Sequence, residues 1–137
     1  MKSLIVEDDF TSRLLLQEIL KWYGSIHMAV NGREAVSAVA AALDAGEPYD
    51  LICLDIMMPE MDGQQALQEI RKLEEARGIL PPGGAKIFMT TALGRLDNVT
   101  RAFRGLCDAY LVKPIDKANL LKHLHDFHLI GSPAVVQ

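Results

Sequence analysis

Four short stretches of this chain hold side chains that together could handle a phosphoryl group and a divalent cation. Glu7-Asp8-Asp9 follows the apolar run Leu4-Ile5-Val6, and Asp55 follows Leu51-Ile52-Cys53-Leu54. Thr90-Thr91 closes a run that begins at Lys86, and Lys113-Pro114 follows Ala109 to Val112. Glu7, Asp8 and Asp55 would repel one another if held a few ångströms apart, so either some are protonated or a cation sits among them. An oxygen-only set without His or Cys suits Mg²⁺, which takes one or two carboxylates and keeps several waters. A dication and Lys113 could share the charge on phosphoryl oxygens, and the Thr91 hydroxyl could donate to one of them. Carboxylates are already ionised near neutrality, the ordinary aspartate value being about 3.9.

These residues need a frame that brings them to one place. Apolar β-type runs alternate with helix-period segments along the chain. Leu4-Ile5-Val6 is followed by a helical pattern with Leu15, Leu16, Ile19, Leu20 and Tyr23 that Gly24 ends. Ile26 to Val30 is a weaker strand closed by Asn31-Gly32, and Arg33 to Leu43 is an Ala- and Val-rich helix. Asp50 to Leu54 is a strand, and Gln64 to about Ala76 is a helix with Ala66, Leu67, Ile70 and Leu73 on one side. Gly78 to Gly84 holds Pro81-Pro82 and Gly83-Gly84 and is a loop. Lys86 to Thr90 is the fourth strand, Leu96 to Leu106 a helix, Ala109 to Val112 the fifth strand, and Lys117 to about His128 the last helix. Strand then helix, five times over, predicts an α/β domain with a parallel sheet covered by helices on both faces. Ligands of such a sheet bind beyond the carboxyl ends of its strands, and that is where the acids, the threonines and the lysine fall.

The whole chain agrees with this frame. It has 137 residues, half of them hydrophobic, enough for one domain with a sizeable core. A net charge of −4 argues against nucleic-acid binding, which needs clustered Lys and Arg. No apolar run reaches the roughly 18–20 residues that span a bilayer, and Met1-Lys2-Ser3 running into Leu4-Ile5-Val6 does not read as a signal peptide. Cys53 and Cys107 lie far apart in apolar surroundings and read as buried free thiols of a cytoplasmic protein.

The motifs Leu4-Ile5-Val6-Glu7-Asp8-Asp9, Asp55-Ile56-Met57-Met58-Pro59-Glu60-Met61-Asp62-Gly63, Thr90-Thr91-Ala92 and Tyr110-Leu111-Val112-Lys113-Pro114 occur in that order, each at a strand end. With them the chain resembles, over nearly its full length, the response-regulator receiver family of two-component signalling, chemotaxis receivers included. The resemblance implies a flavodoxin-like, doubly wound fold with five parallel strands in the order 2-1-3-4-5. It implies a receiver domain over residues 1–130 and a tail over 131–137. By the same resemblance Asp55 is the phosphoacceptor, and Mg²⁺ is held by Glu7, Asp8, Asp55 and the backbone carbonyl of Met57. Thr91 and Tyr110 are the switch pair, Lys113 contacts the phosphate, and Lys113-Pro114 is a cis peptide. The implied partners are a histidine kinase or histidine phosphotransfer protein and a downstream protein target, with a phosphorylation-dependent dimer a further possibility; no membrane and no nucleic acid enter. The chain is then no enzyme toward other molecules, since it promotes only its own phosphorylation and dephosphorylation.

Two positions bear on how long the phosphoryl group lasts. Met57 lies two residues after Asp55 and Leu93 two after Thr91, and in the family these positions flank the approach of water. Both are apolar here, which predicts a longer-lived phosphoryl state than polar residues would give. Opening on Met1 and ending soon after the last helix, the chain reads as a stand-alone regulator, with a domain cut from a larger regulator or a non-phosphorylated scaffold as alternatives.

Other readings compete for the same residues. A phosphatase with an Asp nucleophile would want a second Asp two residues later, where Met57 stands. A flavin carrier of the same architecture would want a Ser/Thr/Gly-rich loop after the first strand, where the acids stand. Asp9 is as readily a helix N-cap as a member of the acid cluster, and Asn31-Gly32 and Asp62-Gly63 read as turns. His123, His125 and His128 read as surface residues of the last helix. Arg95, Arg101 and Arg104 could form a docking face for an acidic partner or a solvated helix face. The loop Gly78 to Gly84 has no role assigned by its residues.

Overall fold

The structure is a computed structural model, and it describes residues 1–58, 60–81, 83–92 and 106–131. In chain order the elements are β1 (Ser3–Val6), α1 (Phe10–Leu20), β2 (Ile26–Ala29), α2 (Gly32–Asp44), β3 (Leu51–Asp55), α3 (Gly63–Ala76), β4 (Lys86–Ala92), β5 (Ala109–Lys113) and α4 (Lys117–Asp126). A short 3₁₀ turn, Lys21–Tyr23, follows α1. The strands form one five-stranded sheet in the order β2-β1-β3-β4-β5, and every pairing is parallel.

Alternate residues of each strand feed opposite faces, because successive side chains of a strand point opposite ways. Leu4, Ile52, Leu54 and Met89 pack with Ala35, Val39, Leu67 and Ile70 under α2 and α3. Ile5, Cys53, Phe88 and Leu111 pack with Leu16, Ile19, Leu20, Leu120 and Leu124 under α1 and α4. Each such fully buried Leu or Ile contributes on the order of 1.5–3 kcal/mol. A strand buried on both faces, such as β3, therefore reads as an uninterrupted apolar run up to the point where it must become polar, and that point is Asp55.

Three details differ from the sequence reading. β4 runs on to Ala92, because Thr91 and Ala92 pair with Val112 and Lys113 of β5. Asn31 and Asp62 are helix N-caps rather than turn residues: Asn31 accepts from the Glu34 amide at 2.8 Å, and Asp62 exchanges bonds with Gln65 in a capping box. α4 ends at Asp126, so His128 lies beyond the helix with a left-handed φ of 60°, while His123 is half-buried against the Phe88 ring. The expected helix Leu96 to Leu106, with Arg95, Arg101 and Arg104, lies outside the described residues except for Leu106, as do Leu93, Pro59 and the tail from 132 onward.

A half-buried ionic network closes the end of the sheet opposite the acids. Arg71 of α3 donates to the Leu106 and Ala85 carbonyls at 2.7 and 2.9 Å, and pairs with Glu74 at 2.7 Å and Asp108 at 3.1 Å. Glu74 accepts from the Ala85 amide at 2.8 Å, and Asp108 from the Ile87 amide at 2.8 Å. Gly84 makes room for this, since a Cβ there would collide with the Glu74 carboxylate. The loop from Gly78 to Gly84 is thus tied down at its far end by α3.

Candidate functional site

Parallel register delivers the site. β1, β3, β4 and β5 all run the same way, so the residues that follow their last apolar positions arrive at one edge. Glu7 follows β1, Asp55 closes β3 opposite Thr90, and Lys113 closes β5 opposite Ala92. Carboxylate oxygens of Glu7, Asp8 and Asp55 all lie within 4.8 Å of one another, a grouping that could hold a metal ion. Lys113 Nζ stands 2.6 Å from Glu7 Oε1 and 3.2 Å from Asp55 Oδ2, bridging the two buried acids. Asp8 is exposed, so the cluster opens to solvent on that side.

The electrostatics follow from burial and crowding. Glu7 is 1% exposed, and burial, then the neighbouring Asp55, push its carboxyl above the usual glutamate range. Burial would lower the Lys113 ammonium, but Glu7 and Asp55 outweigh it and leave the lysine raised and charged. Lys113 makes a charge-assisted contact with Glu7 Oε1 at 2.6 Å, and a carboxylate oxygen has lone pairs for more than one such contact. An oxygen-only donor set with spare acceptor capacity fits a hard cation such as Mg²⁺.

Local bonds hold Asp55 and its loop. The Met57 amide donates to Asp55 Oδ1 at 3.3 Å, while Oδ2 faces Lys113. Gly63 lets α3 start hard against β3: its amide donates to the Ile56 carbonyl at 2.9 Å, and a Cβ there would collide with the Asp55 carbonyl. Arg13 of α1 donates to the Glu7 carbonyl at 2.9 Å. Asp9 N-caps α1 by accepting from Ser12 at 2.9 Å, and that bond lowers its pKa. Asp9 therefore takes the capping reading, outside the carboxylate triad.

Thr91 is 1% exposed at the end of β4, its hydroxyl donating to the Ala92 carbonyl at 3.3 Å. Tyr110 is half-buried against the α2/α3 face of the core. Met57 is 53% exposed beside Asp55. The Lys113-Pro114 peptide is cis. Both cysteines are free; burial pushes the Cys53 thiol up to about 12, and Cys107 is only half-buried rather than fully buried. Among the described residues no helix is long and apolar enough to cross a membrane. Sequence reasoning missed the Arg71–Glu74–Asp108 network. Its signal was Glu74, a carboxylate at helical spacing from Leu67 and Ile70 on the buried face of α3.

Comparison with known proteins places this edge in a family. The family model of the response regulator receiver domain matches residues 3–125. The chain is 33% identical over 124 residues to the chemotaxis protein CheY of Halobacterium salinarum, covering 90% of this chain and 92% of that protein. The receiver domain of Ssk1 from Saccharomyces cerevisiae, solved with the histidine phosphotransfer signaling protein Ypd1, superposes with a TM-score of 0.78 at 26% identity, covering 100% of this chain and 94% of that one. The receiver domain of histidine kinase CKI1 from Arabidopsis thaliana, solved with Mg²⁺ and BeF₃⁻, gives a TM-score of 0.74 at 28% identity, covering 91% and 89%. Other relatives are far longer: the chain spans 12% of the length of a probable histidine kinase 2 from Oryza sativa subsp. indica, to which it is 30% identical. With the parallel sheet in this strand order and the family match over residues 3–125, the chain belongs to the response regulator receiver domains of two-component signalling.

Proposed function

We propose that this receiver accepts a phosphoryl group on Asp55 from a phosphohistidine on a histidine kinase or histidine phosphotransfer protein, and that the change alters a protein-binding face. The observation that carries this is Lys113 reaching Glu7 and Asp55 together at the open end of the sheet. One Asp55 oxygen attacks phosphorus, the new O–P bond forms as the P–N bond breaks, and the imidazole leaves and takes up a proton. The bonds from Met57 and Lys113 fix how the Asp55 carboxylate is presented. Lys113 offsets charge on the phosphoryl oxygens. Glu7, Asp8, Asp55 and the Met57 carbonyl would hold Mg²⁺, which when bound supplies further neutralisation of those oxygens. The CKI1 receiver solved with Mg²⁺ and BeF₃⁻ supports this ligand choice.

The Thr91 hydroxyl then turns from the Ala92 carbonyl to the phosphoryl group, and Tyr110 follows inward; these two form the switch. Turnover is confined to the receiver's own phosphorylation and hydrolysis. The exposed thioether of Met57 gives an attacking water nothing to hydrogen-bond, which favours a long-lived phosphoryl state. Domain limits of 1–130 and a tail of 131–137 go with this reading, as does a cytoplasmic location, which the two free thiols support. The chemistry is the same for a receiver acting alone, as the match to a chemotaxis protein supports, and for one joined to a longer protein.

The test is transfer of ³²P from a phosphorylated histidine phosphotransfer protein. The wild type takes the label in the presence of Mg²⁺, Asp55→Asn takes none, and Lys113→Ala is slower by about a hundredfold. Equal labelling of wild type and Asp55→Asn would overturn the assignment.

A further inference from the structure

The loop after Asp55 is pinned from an element that holds none of the site residues. Its Met61 carbonyl accepts the amide of Gly32, the first residue of α2, at 3.0 Å. Gly32 is buried there, and a Cβ built on it would collide with the Met61 carbonyl oxygen and lie 2.8 Å from its carbon. The obstacle is backbone, so a side chain at 32 cannot be accommodated by a rotamer change. The preceding residue adds a second link: Asn31 caps α2 through its Oδ1 and points Nδ2 at Glu60 Oε2, 3.5 Å away. Glu60 itself sits at a φ of 62°, a left-handed conformation that a side chain adopts only where its surroundings impose it. At its other end the loop is fixed by Gly63 on the Ile56 carbonyl. Between these anchors lies Met57, whose amide orients Asp55.

We propose that Asn31 and Gly32, at the start of α2, are positioning residues for the Asp55–Asp62 loop, and through it for the Mg²⁺ and phosphoryl site. The role in metal binding rests on the site reading above; the pinning of the loop does not. The hydrogen bond to Met61 sets the height of the loop over the sheet edge, and the lack of a Cβ at 32 sets its distance from α2. A methyl at 32 pushes the Met61 carbonyl outward and breaks that bond. The displacement reaches Met57, so both the orientation of Asp55 and the carbonyl offered to the metal change.

The experiment compares Gly32→Ala with Gly46→Ala. Gly46 lies just after α2 with a φ of 73° and open space around it, so alanine there strains the backbone without touching the loop. Mg²⁺ affinity is measured by calorimetric titration, and backbone amide exchange of Met57, Met58, Glu60 and Met61 is measured without metal. Gly32→Ala is expected to weaken Mg²⁺ by about tenfold, as loss of an outer-shell support does. Gly46→Ala, although destabilised, is expected to stay within about twofold of wild type, being far from the site. The loop amides of Gly32→Ala exchange faster by about fivefold, while those of β3 do not change. Asn31→Ser keeps the cap and removes the reach to Glu60. It serves if Gly32→Ala does not fold, and its loop amides are also expected to exchange faster than wild type. Wild-type Mg²⁺ affinity and wild-type loop exchange in Gly32→Ala, or unchanged loop exchange in Asn31→Ser where Gly32→Ala is unfolded, would overturn the proposal. A wild type that binds no Mg²⁺ at all would overturn instead the metal reading, and the exchange comparison would still decide the pinning.

Discussion

Glu7 shows how one residue carries both the fold and the site. It is the first residue after β1, it is 1% exposed, and its carboxyl is held above the usual range by burial and by Asp55. An acid whose folded pKa is raised binds more protons in the native than in the unfolded state between the two values. Stability is then fully present below the unfolded pKa and is lost as pH rises through the folded one. Metal-free protein should therefore lose thermal stability as pH climbs from about 4.5, the ordinary glutamate value, through the raised value. Glu7→Gln should flatten that decline in a series of melting curves; an equal decline in the variant would show that another group is responsible. Lys113 adds no fall in the same window, since its pKa is raised from 10.5 and its charge persists there. These residues were legible in the chain because each ends an apolar run: Glu7 after Val6, Asp55 after Leu54, Lys113 after Val112. The ion pairs among them were not, because they depend on which strands lie side by side.

At the scale of elements, the strands were easier to read than the helix starts. β3 is apolar on both faces and announces itself, whereas Asp62-Gly63 fits a turn and an N-cap equally well until Gln65 is seen to reach back. β4 was read two residues short because its last pairs, Thr91 with Val112 and Ala92 with Lys113, exist only in the sheet. α3 carries the clearest energetic prediction. Arg71 is paired with Glu74 and Asp108, whose side chains are 6% and 22% exposed. Removing the guanidinium leaves those acids uncompensated and the Leu106 and Ala85 carbonyls without a donor. Arg71→Ala should destabilise by about 3 kcal/mol in urea titration, whereas Lys72→Ala, at an exposed i,i+3 pair, should change stability by less than about 0.5 kcal/mol. Equal effects would show that the network contributes no more than a surface pair. The loop of Gly78 to Gly84 had no role in the sequence, and Gly84 acquires one only through the Glu74 side chain packed against it.

Across the described residues the molecule is one parallel sheet with a carboxylate-and-lysine cluster at one end and the Arg71 ion-pair network at the other. Glu7, Asp55, Thr91 and Lys113 belong to four different strands or strand ends, so a phosphoryl group on Asp55, as proposed, would touch residues of β1, β4 and β5 together. Moving a two-state population from 1:99 to 99:1 takes about 5.5 kcal/mol of differential interaction. On the proposed reading, a few new bonds at Thr91 and Lys113 would give only part of that, and a partner that prefers the phosphorylated form would complete the shift. Addition of beryllofluoride with Mg²⁺ should accordingly change amide exchange around Thr91 and Tyr110 while leaving the protected amides at Ala85 and Ile87 unchanged; uniform protection of the whole chain would indicate simple stabilisation instead. The account rests most heavily on Asp55 as the phosphoacceptor, and intact-mass spectrometry after incubation with acetyl phosphate and Mg²⁺ tests it most directly. The wild type should gain about 80 Da, the mass one phosphoryl group adds, and Asp55→Ala should gain nothing. No gain in the wild type, or the same gain in Asp55→Ala, would contradict it.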